Sequence, residues 1–175
     1  MAHNSLLATV KVPTQFKYKY DFDKHGALYF LGTKGYTRSW CNPDSDLQLV
    51  RSFASSISQG RPSDIVGRSV VNFRTLNQPY SFVGFQLTSN RKLLPTAYSI
   101  RNRNSNAQVL INWRLEASNN HIAWICLDVR SHDPKRNSRG VDLLCRKGAT
   151  TTWGIDPNIC RRLNITDGFT TYRIV

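Results

Sequence analysis

The chain has 175 residues, 40% of them hydrophobic, and its 24 Lys and Arg against 11 Asp and Glu give a formal net charge of +13. That length supports one domain around a single core and is too short for two substantial ones. It contains no run of eighteen apolar residues, so no transmembrane segment is expected, and MAHNSLLATVKV lacks the basic start, apolar middle and cleavage site of a secretory signal. A cytoplasmic protein is the expectation. The charge bears on partners, because a potential this positive attracts anionic surfaces. Nucleic acid, an acidic protein surface such as a tubulin lattice, and an anionic membrane all fit it.

Most ordered-looking segments are short, rich in Val, Ile, Phe, Tyr and Thr, and separated by Gly, Pro, Asn and Ser turns. This is the pattern of an antiparallel sandwich or barrel. In chain order the expected strands are Phe16–Asp21, Leu28–Leu31, Val70–Phe73, Ser81–Leu87, Leu93–Ile100, Asn112–Ser118, Ile122–Val129 and Thr171–Val175. Leu47–Ile57 reads as a strand or a short irregular segment, and helix is scarce. In TLNQPYSFVGFQL, Phe82 and Phe85 do not alternate strictly, so either both faces are used or a bulge sits near Gly84. Trp113, Leu115 and Ala117 share one face of their strand, with Arg114 and Glu116 on the other. Ile122–Val129 is apolar on both sides until Asp128, as in a central or loop-covered strand. Residues 90–92, 101–108 and 130–140 are polar, basic loops.

Catalytic and metal chemistry find little support. Ser131, His132 and Asp133 are adjacent, and neighbouring side chains diverge too far to form a relayed triad. HExxH, GxSxG and Walker sequences are absent. Asp44 and Asp46 in NPDSD fit turn capping better than a cation site, since two carboxylates alone hold a hard ion poorly. Cys41, Cys126, Cys145 and Cys160 form no C-x-x-C pair and are expected as reduced, mostly buried thiols. We expect no catalytic residues, metal or cofactor.

Read in order, FDKHGALYFLGTKG, WCNP, GRPSDIVGR, TLNQPYSFVGFQL, LLPTAYSIRNR, LINWRLEASNNHIAWICLDVRSHD and TTWGI resemble the discoidin-like (coagulation-factor type C, galactose-binding-like) β-sandwich. The resemblance is to its cytosolic branch, found in BTB-domain proteins and HECT-type ubiquitin ligases, and it covers Asp21 to about Ile155. It implies an all-β, antiparallel jelly roll of about eight strands, without catalysis, whose loops at one end form the recognition surface. On that basis residues 1–15 are an N-terminal extension and 16–175 one domain. The sequence departs from the family where Gln86-Leu87-Thr88 replaces Asp-Leu-Gly and where Phe82 stands in place of the common Trp. The family pattern also continues past Tyr172–Val175 with a closing strand. Its absence here reads as a fragment, or as a strand supplied by a partner.

In that arrangement the basic and aromatic loops can gather at one end. Tyr36, Arg38 and Trp40 form one cluster, Arg74 and Asn77 precede the Phe82 strand, and Arg101 and Arg103 follow Ile100. Arg130, Lys135, Arg136 and Arg139 supply a fourth loop. Guanidinium groups grip carboxylates or phosphates in pairs of hydrogen bonds, and adjacent aromatic rings add flat apolar area. The plainer alternative is that Trp40 is core and the arginines are solvated. The leading expectation is a protein-binding adaptor or structural subunit of a cytosolic, cytoskeletal or ciliary assembly, docking a tubulin lattice or a ubiquitin-ligase or BTB assembly. Nucleic-acid binding within an RNA-containing particle, and carbohydrate or anionic-lipid recognition, are the rival classes.

Overall fold

The computed structural model describes residues 14–105, 110–131 and 147–175. Within them lie seven strands: β1 Val50–Ala54, β2 Val83–Leu87, β3 Ala97–Arg101, β4 Trp113–Ser118, β5 Ile125–Arg130, β6 Thr150–Gly154 and β7 Thr171–Ile174. Helix is confined to α1 Ala27–Gly32, α2 Pro157–Arg162 and a 3-10 turn at Pro62–Val66. One antiparallel sheet has the order β1-β2-β7-β4-β5, and the second consists of β3 and β6. This is the expected all-β antiparallel architecture with little helix.

The large sheet turns Val50, Leu87, Leu115, Ala117, Leu127 and Tyr172 into one buried cluster. The sheets are joined at a second cluster, where Trp113 of β4 meets Trp153 of β6 edge to face at 5.0 Å. Polar bonds reinforce that joint. The Trp113 Nε1 group donates to the Tyr98 hydroxyl at 3.0 Å, which donates to Asp128 Oδ2 at 2.7 Å, and Arg130 Nε donates to the same oxygen at 2.7 Å. Burial first, and the neighbouring carboxylate second, push the Tyr98 hydroxyl well above its ordinary range, so it stays a donor.

Several expectations need correction. Leu28–Leu31 belongs to α1 and not to a strand. Leu28 and Leu31, three residues apart, both pack on the core, and that helical spacing outweighs the β-propensity of Tyr29 and Phe30. Phe16–Asp21 leads into a turn closed by Asp23, whose carboxylate accepts from Lys19 and His25 N–H groups. Val70–Phe73 is irregular, and the bridge beside it joins Arg74 to Gln59. β5 lies at the edge of its sheet, with Val129 61% exposed and Ile122, in the bend before the strand, 86% exposed, so an apolar run did not mean a central strand. Leu127 forms the bulge where β5 shifts register against β4, between Leu115 and Glu116. β6 and α2 were absent from the expected elements. Cys160 is buried, Cys41 half-buried and Cys126 exposed, so burial is not the common state of the described thiols. Cys145, His132 and Asp133 lie outside the described residues.

Other expectations hold. The Leu47–Ile57 segment supplies β1, and Trp113, Leu115 and Ala117 are buried. Phe82 and Phe85 do use opposite faces: Phe85 packs on the core, whereas Phe82 lies T-shaped against Phe53 at 6.2 Å. The β1-β2 register runs through Gly84 without a shift. Gly84 serves close approach instead, since a Cβ there would collide with the Tyr172 carbonyl oxygen and meet the Phe53 ring at 2.6 Å. Asp44 and Asp46 act as caps, accepting from Ser52 N–H and Asn42 N–H respectively. β7 is an interior strand, hydrogen-bonded to β2 on one side and β4 on the other.

The outer face of the large sheet carries a buried ion pair. Arg173 Nη2 lies 2.7 Å from Glu116 Oε2, with side chains 20% and 8% exposed, and Arg114 reaches the other oxygen at 3.4 Å. The Arg173 guanidinium lies 3.8 Å from the Trp124 ring centroid. Glu116 is therefore buried although it belongs to the polar face.

Candidate docking cleft between the sheets

The two-stranded sheet covers only part of the inner face of the large one, and α1, α2 and the 3-10 turn pack on more of it. The uncovered part forms a cleft of about 740 Å³, floored by Val83, Phe85, Leu115 and Ile174. One wall is β3 and its continuation, where the consecutive residues Tyr98 to Arg103 all line the opening. The other is the polar turn from Arg74 to Gln78.

Arg74, Asn77, Arg101 and Arg103, from two of the four expected loops, meet here. Arg101 is the most constrained. Its guanidinium stacks on the Phe22 ring at 3.6 Å, its Nε donates to Thr150 Oγ1 at 2.9 Å, and its Nη1 donates to the Arg68 carbonyl. Burial, and then the neighbouring Arg68 charge, lower its proton affinity below the ordinary arginine value. Arg103 differs in kind: its Nε and Nη1 are buried and have no hydrogen-bond partner. Hydrogen-bonding groups withdrawn from water normally find a partner, so these two donors are left uncompensated in the free chain. Asp64 is the acidic residue of the lining, and its Oδ2 already accepts from Arg61 N–H.

The remaining expected residues are elsewhere. Tyr36 packs on Phe30 at 5.4 Å, Trp40 presses on Gly32 of α1, and Arg38 donates to the Cys41 sulfur at 2.8 Å. None of the three lines the cleft. Arg130 is held by Asp128 and by the Gly154 carbonyl, in the joint between the sheets. Lys135, Arg136 and Arg139 lie outside the described residues. Arg68 and Phe22 were not anticipated. Arg68 sits 4.5 Å from the Phe22 ring centroid and 4.8 Å from Tyr29, while its guanidinium donates to the Phe22 and Asp23 carbonyls. The sequence offered no signal for this layer, because residues 22, 68 and 101 meet only through the fold.

Among the described residues no group of three or more His, Cys, Asp or Glu could hold a metal ion, and no helix is long and apolar enough to cross a membrane. No family model matches the chain. It is 26% identical over 149 residues, 83% of its length, to the E3 ubiquitin-protein ligase Ufd4 of Drosophila melanogaster. It is 29% identical over 141 residues, 77% of its length, to the E3 ubiquitin-protein ligase hecd-1 of Caenorhabditis elegans. In both cases the match spans 5% of the relative, so the chain is similar to a small segment of two very long ubiquitin ligases.

Proposed function

We propose that this chain is a non-catalytic, partner-docking β-sandwich of a cytosolic ubiquitin-ligase assembly, of the discoidin-like type, which receives an acidic polypeptide segment in the cleft between its sheets. The observation that carries the reading is Arg103, whose two buried donors lack partners beside Arg74 and Arg101 in a concave, apolar-floored site. The Nε–H and Nη1–H groups point to different sides of the guanidinium, so two acceptor oxygens of an acidic segment would satisfy them, one on each side. The similarity to two ubiquitin ligases favours a ligase assembly over a tubulin lattice or an RNA-containing particle. The apolar floor argues the same way, since it suits apolar side chains better than a sugar-phosphate backbone.

Fluorescence anisotropy tests the reading with a labelled Glu-rich peptide and its Gln-substituted counterpart. The acidic peptide should bind more tightly, with an advantage that shrinks as salt rises and disappears in the R74E/R103E variant. Equal binding of the two peptides, or unchanged affinity of the variant, would refute it.

A further inference from the structure

We propose that the occupant of the cleft docks as an added β-strand, hydrogen-bonded along the open edge of β3 and alternating apolar with acidic side chains. The inference rests on the docking reading above and specifies its geometry.

β3 pairs with β6 alone among the described residues. The parity of that ladder is fixed by its ends, where Ile155 N–H donates to the Thr96 carbonyl at 2.9 Å and Asn102 N–H donates to Ala149 at 2.7 Å. In an antiparallel pair the backbone groups of alternate residues point at the partner strand. Even-numbered residues of β3 therefore face β6. Ala97, Ser99 and Arg101 turn their N–H and C=O groups the other way.

That way leads into the cleft. A strand shows its side chains alternately on its two faces, so six consecutive lining residues, Tyr98 to Arg103, mean that the opening runs along the strand edge and not over one face. An open edge is a template for another extended chain, and here it stands beside an uncovered apolar floor. A strand laid against it would become the third of its sheet and would cover Val83, Phe85 and Ile174.

The surroundings also set the occupant's side chains. Those pointing inward meet the apolar floor. Those pointing outward pass the face of β3 that carries Arg101 stacked on Phe22, and the Arg103 guanidinium stands at the end of the edge, where Asn104 N–H already donates to the Val71 carbonyl. Alternating Val or Leu with Glu or Asp matches both. Charge separates an acidic partner from a second copy of this chain, because two molecules of net charge +13 repel each other.

The test uses a short labelled peptide alternating Glu with Val, and two versions N-methylated on amides of one parity or the other. Only one parity faces β3, so one methylated peptide should lose roughly tenfold or more in affinity while the other binds like the parent. Ser99→Pro removes an edge donor while sparing the backbone ladder to β6, and should weaken the parent peptide more than Ser99→Ala, which loses only the Ser99 Oγ–Thr152 Oγ1 bond. Should S99P fail to fold, the methylated pair decides alone. Amide exchange at Ser99 and Arg101 should be fast in the free protein and slow in the complex. Binding that tolerates methylation of both parities overturns strand addition but leaves the docking reading intact. Slow exchange in the free protein also overturns it, since the edge is then already covered by the chain itself or by a second copy. No binding of any acidic peptide overturns both.

Discussion

Replacing Arg103 by methionine separates a binding role from a structural one, because the two predict opposite changes in stability. The substitution keeps most of the side-chain length and removes the guanidinium. If Arg103 held the fold together, its loss would destabilise. In the structure its Nε and Nη1 are instead buried without partners, and an unsatisfied buried donor costs about 1–3 kcal/mol. Part of the side chain remains half-exposed, which limits the gain, so R103M should stabilise by about 1–3 kcal/mol. For a chain of this length that raises the melting temperature by about 2–4 °C per kcal/mol. Urea unfolding of the wild type and R103M, with equal m-values, gives the difference directly. Affinity for the acidic peptide should fall over the same substitution. Stability given up for binding is the signature of a functional group. Destabilisation of R103M by more than about 1 kcal/mol would refute the reasoning, since Arg103 must then make bonds that its geometry does not provide.

Three further outcomes follow from the packing and charge of the sandwich. Glu116→Gln leaves the guanidinium of Arg173 buried without its counter-charge and should cost about 3 kcal/mol, whereas E116L/R173M should recover most of it; a double-mutant cycle by urea unfolding measures this. Gly84→Ala drives a methyl group against the Tyr172 carbonyl of the interior strand β7, which cannot move as the Phe53 ring can, and should lower stability by about 1–3 kcal/mol in thermal melts. The Asp23 carboxyl is pushed up by burial, but the N–H groups of His25 and Lys19 outweigh this and hold it below its ordinary 3.8. Its contribution is therefore present above that value and lost as the pH falls through the lower, folded one. Melting curves across acid pH should show a step that D23N abolishes.

Strand content was legible where side chains alternate strictly. Trp113, Leu115 and Ala117 identified β4 and its buried face, and the turn residues bounding β2, β3 and β7 marked those strands to within a few positions. It was illegible where aromatic residues serve a short helix: Tyr29 and Phe30 carry β-propensity, and only the packing of Leu28 and Leu31 makes the segment helical. The same holds for β6, whose run of threonines lacks apolar alternation, although Trp153 in its midst closes the joint between the sheets. Of the candidate site, Arg74, Asn77, Arg101 and Arg103 were named from loop composition, yet so were Tyr36, Arg38, Trp40 and Arg130, which the fold uses for local packing.

The sequence by itself determined the class of fold and the sign of the chain's own charge, because alternation of apolar residues and a 24 to 11 excess of cations are properties of composition and order alone. Which cations converge was decided only in three dimensions. Among the described residues a cleft with an apolar floor is left beside β3, and the order β1-β2-β7-β4-β5 brings residues from distant segments to its rim. Contacts between residues so far apart in the chain depend on how the sheets stack, which no local pattern encodes.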